Sequence, residues 1–283
     1  MIDAHAHVHD AAFDGDRDLL IKRAYSAGVE SLITIGTDLL ESRRAVACAE
    51  RYPTVWASVG IHPHVFNEME EETGGISIVG ELGNICRSSE KIIAIGECGL
   101  DYFSHDIDKT ITEKQKLMQE TGFLAQVILA QELLRLPIII HTRPSSGSMD
   151  AYEDMYSFLW SSFAQNHDHP PVILHCYMGD AAVTAKFLCL PRIFFSFAGN
   201  ITYKARAGSD TQAVLDMIPI DRMIAETDCP YLAPMPHRGK RNEPAYVVLV
   251  ARYIALTKKI PYTVLEAQFR KNMMEIFPKM HNS

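Results

Sequence analysis

The sequence predicts an α/β fold, a (β/α)8 TIM barrel forming a single domain over residues 1–283. Three observations predict it: eight short apolar runs in order along the chain, helical periodicity between them, and 283 residues that are 47% hydrophobic, enough for one large core. The runs are Met1 to Ala6, Ser31 to Gly36, Val55 to Gly60, Ile92 to Gly96, Pro137 to His141, Val172 to His175, Ile193 to Ser196, and Met223 to Ala225 leading into Glu226. Each has strand length and ends at polar or turn residues.

The intervening segments read as helices. Leu19, Leu20, Ala24 and Ala27 precede Gly28 at helical spacing, and Phe123, Val127, Ala130 and Leu134 follow a helix start at Thr112 and Glu113. Alternation of strand and helix requires parallel strands with crossover helices, and strands apolar on both faces must be covered on both. A closed barrel does this for all eight runs at once; an open doubly wound sheet is the alternative. The stretch Pro144 to Asp150, Pro-Ser-Ser-Gly-Ser-Met-Asp, reads as a mobile loop overhanging the C-terminal face.

Composition narrows the function classes. A net charge of -8, from 27 Lys plus Arg against 35 Asp plus Glu, opposes attraction of a polyanion over the whole surface, so any nucleic-acid contact must be local. Arg238, Lys240 and Arg241 form one such local cluster; the plainer reading is a solvated turn. The six cysteines form no CxxC pair, which fits reduced thiols in an intracellular protein. No apolar run approaches the roughly 18 residues of a membrane span, and the N-terminus lacks a signal-peptide pattern. The expected location is the cytoplasm, with the nucleus open to a eukaryotic protein.

Histidines and carboxylates recur at the C-terminal ends of the expected strands, which is the catalytic face of such a barrel. His5 and His7 share strand parity with each other, and with Asp3 and His9, so both imidazoles point to one side and can grip one cation. A His-x-His pair alone is more often chance or core packing. Glu97 directly follows an apolar strand, where a carboxylate needs a cation or donor; an exposed strand end or an ion pair would also explain it. His141 after Pro-Ile-Ile-Ile and His175 after Pro-Val-Ile-Leu are delivered at the same height by two strands of one type, a repetition that packing alone does not explain. Asp228 closes the eighth strand, with Glu226 behind it as a supporting group; a helix N-cap or a turn before Pro230 is the competing account of Asp228.

Four imidazoles and two carboxylates exceed what one tetrahedral zinc needs and suit a pair of divalent ions, Mg, Mn or Zn, about 3.5–4 Å apart. Such a pair makes water a nucleophile near neutral pH, so hydrolysis follows. The chain has no Gly-x-Ser-x-Gly, no P-loop and no Gly-x-Gly-x-x-Gly to supply a competing chemistry.

In order, the chain carries Ile-Asp-Ala-His-Ala-His at 2 to 7, Val-Gly-Ile-His-Pro-His at 59 to 64, and Ala-Ile-Gly-Glu-Cys-Gly-Leu-Asp-Tyr at 94 to 102. It continues with Leu-Pro-Ile-Ile-Ile-His-Thr-Arg at 136 to 143, Leu-His-Cys-Tyr at 174 to 177, Glu-Thr-Asp-Cys-Pro-Tyr-Leu-Ala-Pro at 226 to 234, and Arg-Gly-Lys-Arg-Asn-Glu-Pro at 238 to 244. This ordered set closely resembles the TatD family of metal-dependent deoxyribonucleases, within the amidohydrolase-like barrels. The resemblance implies a hydrolase of DNA phosphodiester bonds, a 3′ to 5′ exonuclease on single strands using two-metal activation of water. Carried over motif by motif, it implies His5, His7, Glu97, His141, His175 and Asp228 as metal ligands, with Glu97 bridging and Asp228 accepting the proton. His62 would sit beside the scissile phosphate, while Arg143 and the loop with Arg238, Arg241 and Asn242 would hold substrate phosphates.

Two departures bear on substrate choice. The family's usual Ser-Gly after His-Cys-Tyr is Met178-Gly179 here, and Pro144 to Asp150 stands where a short acidic helix start is usual. Two other readings remain: a small-molecule amidohydrolase, lactonase or phosphotriesterase, whose relatives often carry a modified lysine where Glu97 stands, and a metal-containing scaffold without catalysis.

Overall fold

The computed structural model describes residues 1–69, 72–104, 110–166, 168–204 and 210–282. Eight strands lie in one sheet in chain order: β1 (Ile2–Ala6), β2 (Ser31–Ile35), β3 (Val55–Val59), β4 (Ile92–Asp101), β5 (Ile138–Arg143), β6 (Val172–Leu174), β7 (Ile193–Phe197) and β8 (Met223–Ala225). Every neighbouring pair from β1 through β8 is parallel. The open sheet is thereby excluded, because the first and last strands also meet. His7 N donates to Cys229 O at 2.8 Å, Asp228 N donates to His5 O at 2.9 Å, and Ala6 bridges Cys229.

Side-chain hydrogen bonds complete that seam. Asp3 accepts from Thr227 N at 2.9 Å and from Thr227 Oγ1 at 2.6 Å, joining positions 224 residues apart. Burial raises the Asp3 carboxyl to about 8. The shared parity of Asp3 and His9 with the two histidines therefore does not bring them to one place. Asp3 stitches the barrel shut, while His9 bonds Thr34 Oγ1 at 2.7 Å and lies 3.1 Å from Glu41.

Helices cover the outside: α1 (Arg17–Ser26), α2 (Leu39–Arg51), α3 (Pro63–Phe66), α4 (Glu72–Cys86), α5 (Glu113–Ile128), α6 (Asp150–Phe163), α7 (Ala181–Leu188), α8 (Thr211–Met217), α9 (Val247–Thr257) and α10 (Tyr262–Ile276). The start at Thr112 is a full capping box, in which the Thr112 hydroxyl accepts from Gln115 N and the Gln115 side chain reaches back to Thr112 N. Phe123, Val127 and Ala130 are buried as their spacing predicts, and the helix continues as a π-helical segment, Leu129–Leu134. In α1, Leu20 and Ala24 are buried while Leu19 is 57% exposed, so the inward stripe is narrower than the sequence suggests.

Pro144 to Asp150 is a short β5–α6 connection closed on itself rather than a long overhang. The Asp150 carboxylate accepts from Ser145 N at 2.9 Å, and Ser145 Oγ reaches Tyr102 O at 3.4 Å. The strands divide their side chains as a barrel requires. Ile33, Trp56, Ile93, Ile139, Ile173, Phe194 and Ile224 pack together inside, with Met273, Ile276, Phe277 and Met280 sealing the N-terminal end. Val55, Ile92, Ile138, Val172, Ile193 and Met223 pack outward against the helices.

Candidate metal centre

Inward parity carries the reactive groups to the C-terminal mouth. His141 lies two residues beyond Ile139, His175 beyond Ile173, Ser196 beyond Phe194 and Glu226 beyond Ile224, each continuing an inward-facing row. On β1 the alternation breaks: Ala4 packs with the interior and Ala6 with the outer layer, across a register shift between Asp3 and Ala6. His5 stacks on His175 there, ring centroids 4.0 Å apart. A second shift between Ile95 and Cys98 holds Glu97. The backbone there passes so close to β5 that a Cβ on Gly96 would lie 2.4 Å from Ile139 O, and one on Gly99 would lie 2.0 Å from His141 O. Only glycine fits at positions 96 and 99.

The six expected ligands converge. His5 with His7 and Glu97, His5 with His175 and Asp228, and Glu97 with His141 and His175 each bring ligand atoms within 4.8 Å of one another. Glu97 Oε2 lies 3.1 Å from His5 Nε2 and 3.3 Å from His175 Nε2, and its other oxygen lies 3.8 Å from His62 Nε2. His7 Nε2 is 3.3 Å from Asp228 Oδ1.

The partners on the far side of each ring fix where its proton sits. His7 Nδ1 faces Ile35 O at 3.0 Å, His175 Nδ1 faces Glu226 Oε1 at 3.1 Å, and His141 Nε2 faces Asp101 Oδ2 at 3.0 Å. Each acceptor takes that nitrogen's N–H, so in the neutral ring the opposite nitrogen presents a lone pair to the centre. His141 Nδ1 and His175 Nε2 are then two lone pairs 3.2 Å apart, and His7 Nε2 meets a carboxylate oxygen. His5 Nδ1, His5 Nε2 and Glu97 Oε2 are buried with no hydrogen-bond partner. Acceptors crowded on acceptors are stable only with protons or cations among them. The donor set of imidazole and carboxylate, backed by Glu226 and Asp101, fits divalent metal ions.

Without metal, protons fill that role. Burial opposes a charge on His175, but Glu226 and Glu97 facing it push it up to about 9. Burial likewise opposes ionisation of Glu97 and Asp228, yet the surrounding imidazoles, His175 foremost for Glu97 and His7 for Asp228, hold both carboxyls below their usual range.

Of the competing accounts of single residues, a helix N-cap at Asp228 and an exposed strand end at Glu97 do not match this geometry. Asp228 opens no helix, and its carboxylate turns to His7. Glu97 is only 6% exposed and faces imidazoles, with no lysine or arginine paired to it among the described residues.

Several supporting residues escaped the sequence reading. Asp101, buried at the end of β4, binds His141 and also His64 Nε2 at 3.1 Å. Those imidazoles hold its carboxyl well below the usual range against the opposing effect of burial. Gln119 clamps the Asp101 backbone from both sides, accepting from its N–H at 2.8 Å and donating to its carbonyl at 2.9 Å. Gln126 does the same to Ile61, at 2.8 and 3.0 Å, and so positions His62. The two glutamines are seven apart on one face of α5, and that spacing is the signal that could have found them.

The expected substrate contacts divide. His62 Nδ1 accepts from His64 N at 3.2 Å, which leaves Nε2 as the donor facing Glu97; burial, with His141 beside it, pushes the ring down to about 3. Arg143 lies on the Phe103 ring, 3.8 Å from its centroid, and Arg238 on Tyr203 at 4.4 Å, and neither has a carboxylate partner among the described residues. Arg241 is instead held by Asp16, 2.7 Å from one carboxylate oxygen and 2.9 Å from the other, and by Ala12 O. Asn242 is fully buried and donates to Thr227 O and Tyr231 O, bracing the loop that carries Asp228.

A family model described as TatD related DNase matches residues 2–278. The chain belongs to the TatD family. Among TatD-family relatives, an uncharacterized metal-dependent hydrolase of Bacillus subtilis is 36% identical over 278 residues, covering 98% of each chain. A 3′-5′ ssDNA/RNA exonuclease of Cronobacter turicensis is 31% identical over 283 residues, covering 99% of this chain and 98% of its own. A crystal structure of a TatD homologue from Escherichia coli superposes with a TM-score of 0.82 at 24% identity over 98% of each chain, which confirms the fold. No described helix is long and apolar enough to cross a membrane.

Proposed function

We propose that this TatD-family chain hydrolyses phosphodiester bonds in single-stranded DNA from the 3′ end, using two divalent ions held by His5, His7, Glu97, His141, His175 and Asp228. The observation that carries this reading is the set of buried imidazole nitrogens and carboxylate oxygens turned on one another at the barrel mouth. The relatives named as exonucleases support the substrate class.

Divalent ions bound there polarise a phosphodiester and acidify water. The chain's own residues do the rest. Asp228, kept ionised by His7, takes the proton of the attacking water. Glu97, with one oxygen toward His5 and His175 and the other toward His62, spans both halves of the ligand set. His62, neutral with its proton on Nε2, donates to a non-bridging phosphate oxygen. Arg143 and Arg238, pre-oriented on aromatic rings, bind flanking phosphates.

The small-molecule amidohydrolase reading is disfavoured because Glu97 stands where those relatives use a modified lysine. The test is release of nucleotides from 3′-labelled and 5′-labelled single-stranded DNA and RNA by metal-stripped protein, with and without Mg, Mn or Zn ions. Metal-dependent release beginning at the 3′ end is the expected result. Folded protein that releases nothing with any of these ions, yet turns over small esters or amides, would overturn it.

A further inference from the structure

The barrel mouth is chemically lopsided. Among the described residues, the side of β3 to β5 carries His62, His64, Asp101 and Arg143, all polar or charged, with Phe103 beneath the Arg143 guanidinium. The loops after β6 and β8 are different. Among the described residues, nine of the exposed large hydrophobic side chains lie on the outer helices and three on loops, and the three are Met178 (62% exposed), Tyr231 (58%) and Met235 (49%). None of the three lies on the N-terminal side of the barrel.

These side chains are held in place rather than loose. Tyr231 stands beside the metal ligands, its ring edge-on to His7 with centroids 6.2 Å apart, and its N–H donates to Asp228 O at 2.9 Å. Asn200 Nδ2 lies 3.1 Å from Met178 Sδ and 3.7 Å from Cys176 Sγ, tying the β6 loop to the β7 loop. Met235 N donates to Thr202 Oγ1 at 2.8 Å, and Tyr203 donates to Ala233 O at 2.9 Å while carrying Arg238 on its ring. Three loops are thus braced together, with apolar side chains exposed to solvent and the Arg238 guanidinium, without a carboxylate partner among the described residues, at their edge.

We infer that Met178, Tyr231 and Met235 form a platform for the nucleobase of the nucleotide being released. The inference rests on the nuclease reading and adds which side of the mouth takes the base. A nucleobase matches the observations. It offers a π-face to Tyr231 and to the thioethers, and it is tethered to a phosphate that the ligand set and Arg238 can hold. The polar side, with His62 and Arg143, is left for the phosphates. Met178 stands where the family usually has a serine, so the base contact is built from a residue the common motif does not supply.

The test compares metal-dependent release from single-stranded DNA ending in a normal 3′ nucleotide with release from the same strand ending in an abasic 3′ nucleotide. Wild-type protein is expected to favour the normal end by about tenfold in kcat/KM, through KM. Tyr231→Ala and Met178→Ser should lose most of that preference by raising KM for the normal end, with the abasic end unaffected. Tyr231→Phe should keep the preference, which separates stacking from a structural role of the hydroxyl. Release that ignores the terminal base in wild type, or a preference unchanged in Tyr231→Ala and Met178→Ser, overturns the platform while leaving the nuclease reading intact. No release from either strand with any metal removes both.

Discussion

The two ends of the barrel are built from the same strands and do opposite things. At the N-terminal end the inward row is Trp56, Ile93, Ile139 and Ile173, capped by Phe277 and Met280, and every group is apolar and satisfied by packing except the Trp56 indole nitrogen. Two residues further along the same row, isoleucines give way to His141 and His175, and the groups crowd lone pair against lone pair. One end repays burial with packing; the other holds unsatisfied donors of electron pairs that only a cation or proton can reconcile. Stability and chemistry are separated along the strand axis by about one residue pair.

That contrast can be broken from either side. The largest expected effect is at the mouth: Glu97→Gln removes the charge between His5 and His175 and should reduce nuclease activity to background, as should chelation of the metals in the unaltered protein. Asp228→Asn should retain bound metal, measured by elemental analysis, while losing turnover; near-normal turnover would refute its role as base. The supporting shell comes next. Asp101→Asn and Glu226→Gln leave the ligands in place but release ring orientation, and metal affinity measured by titration calorimetry should fall about 10–100-fold. At the other end, Phe277→Ala should cost about 3–5 kcal/mol of stability in denaturant titration, with KM and metal affinity of the folded protein unchanged. The smallest effect is expected from Arg241→Ala, because Asp16 already occupies that guanidinium; KM for DNA should move far less than in Arg143→Ala.

The pH dependence sharpens the comparison at the mouth alone. His175 is raised to about 9 in the metal-free chain, from 6.5, and it must be neutral to serve as a ligand. Metal affinity should therefore climb with pH toward about 9, with proton release visible as buffer-dependent binding enthalpy. The same raised value stabilises the metal-free fold fully below about pH 6.5, and that contribution is lost as pH rises through about 9. Bound metal should abolish this alkaline loss.

Much of this was legible in the sequence because the strands are short, apolar and evenly spaced, so their ends fall where the chemistry is. His5, His7, Glu97, His141, His175 and Asp228 are brought together as their positions at strand ends require. The rest was hidden for identifiable reasons. Period-two alternation cannot show the register shifts on β1 and β4, so it grouped Asp3 and His9 with His5 and His7. Gln119 and Gln126 share one face of α5 by their spacing, but which backbone groups their amides clamp is set by the fold. The family resemblance treated Arg143 and Arg241 alike, whereas pairing with Asp16, 225 residues away in sequence, distinguishes them.

The stitch between Asp3 and Thr227 also sets when the molecule can act. His5 lies in the first strand, His7 just after it, and Asp228 follows the last, so the proposed ligand set is incomplete in any chain that has not yet received its eighth strand. On that assignment the growing polypeptide lacks a complete site for more than three quarters of its length. A hydrolase of nucleic acid assembled beside ribosomes and messages gains its cutting edge only after the barrel has closed.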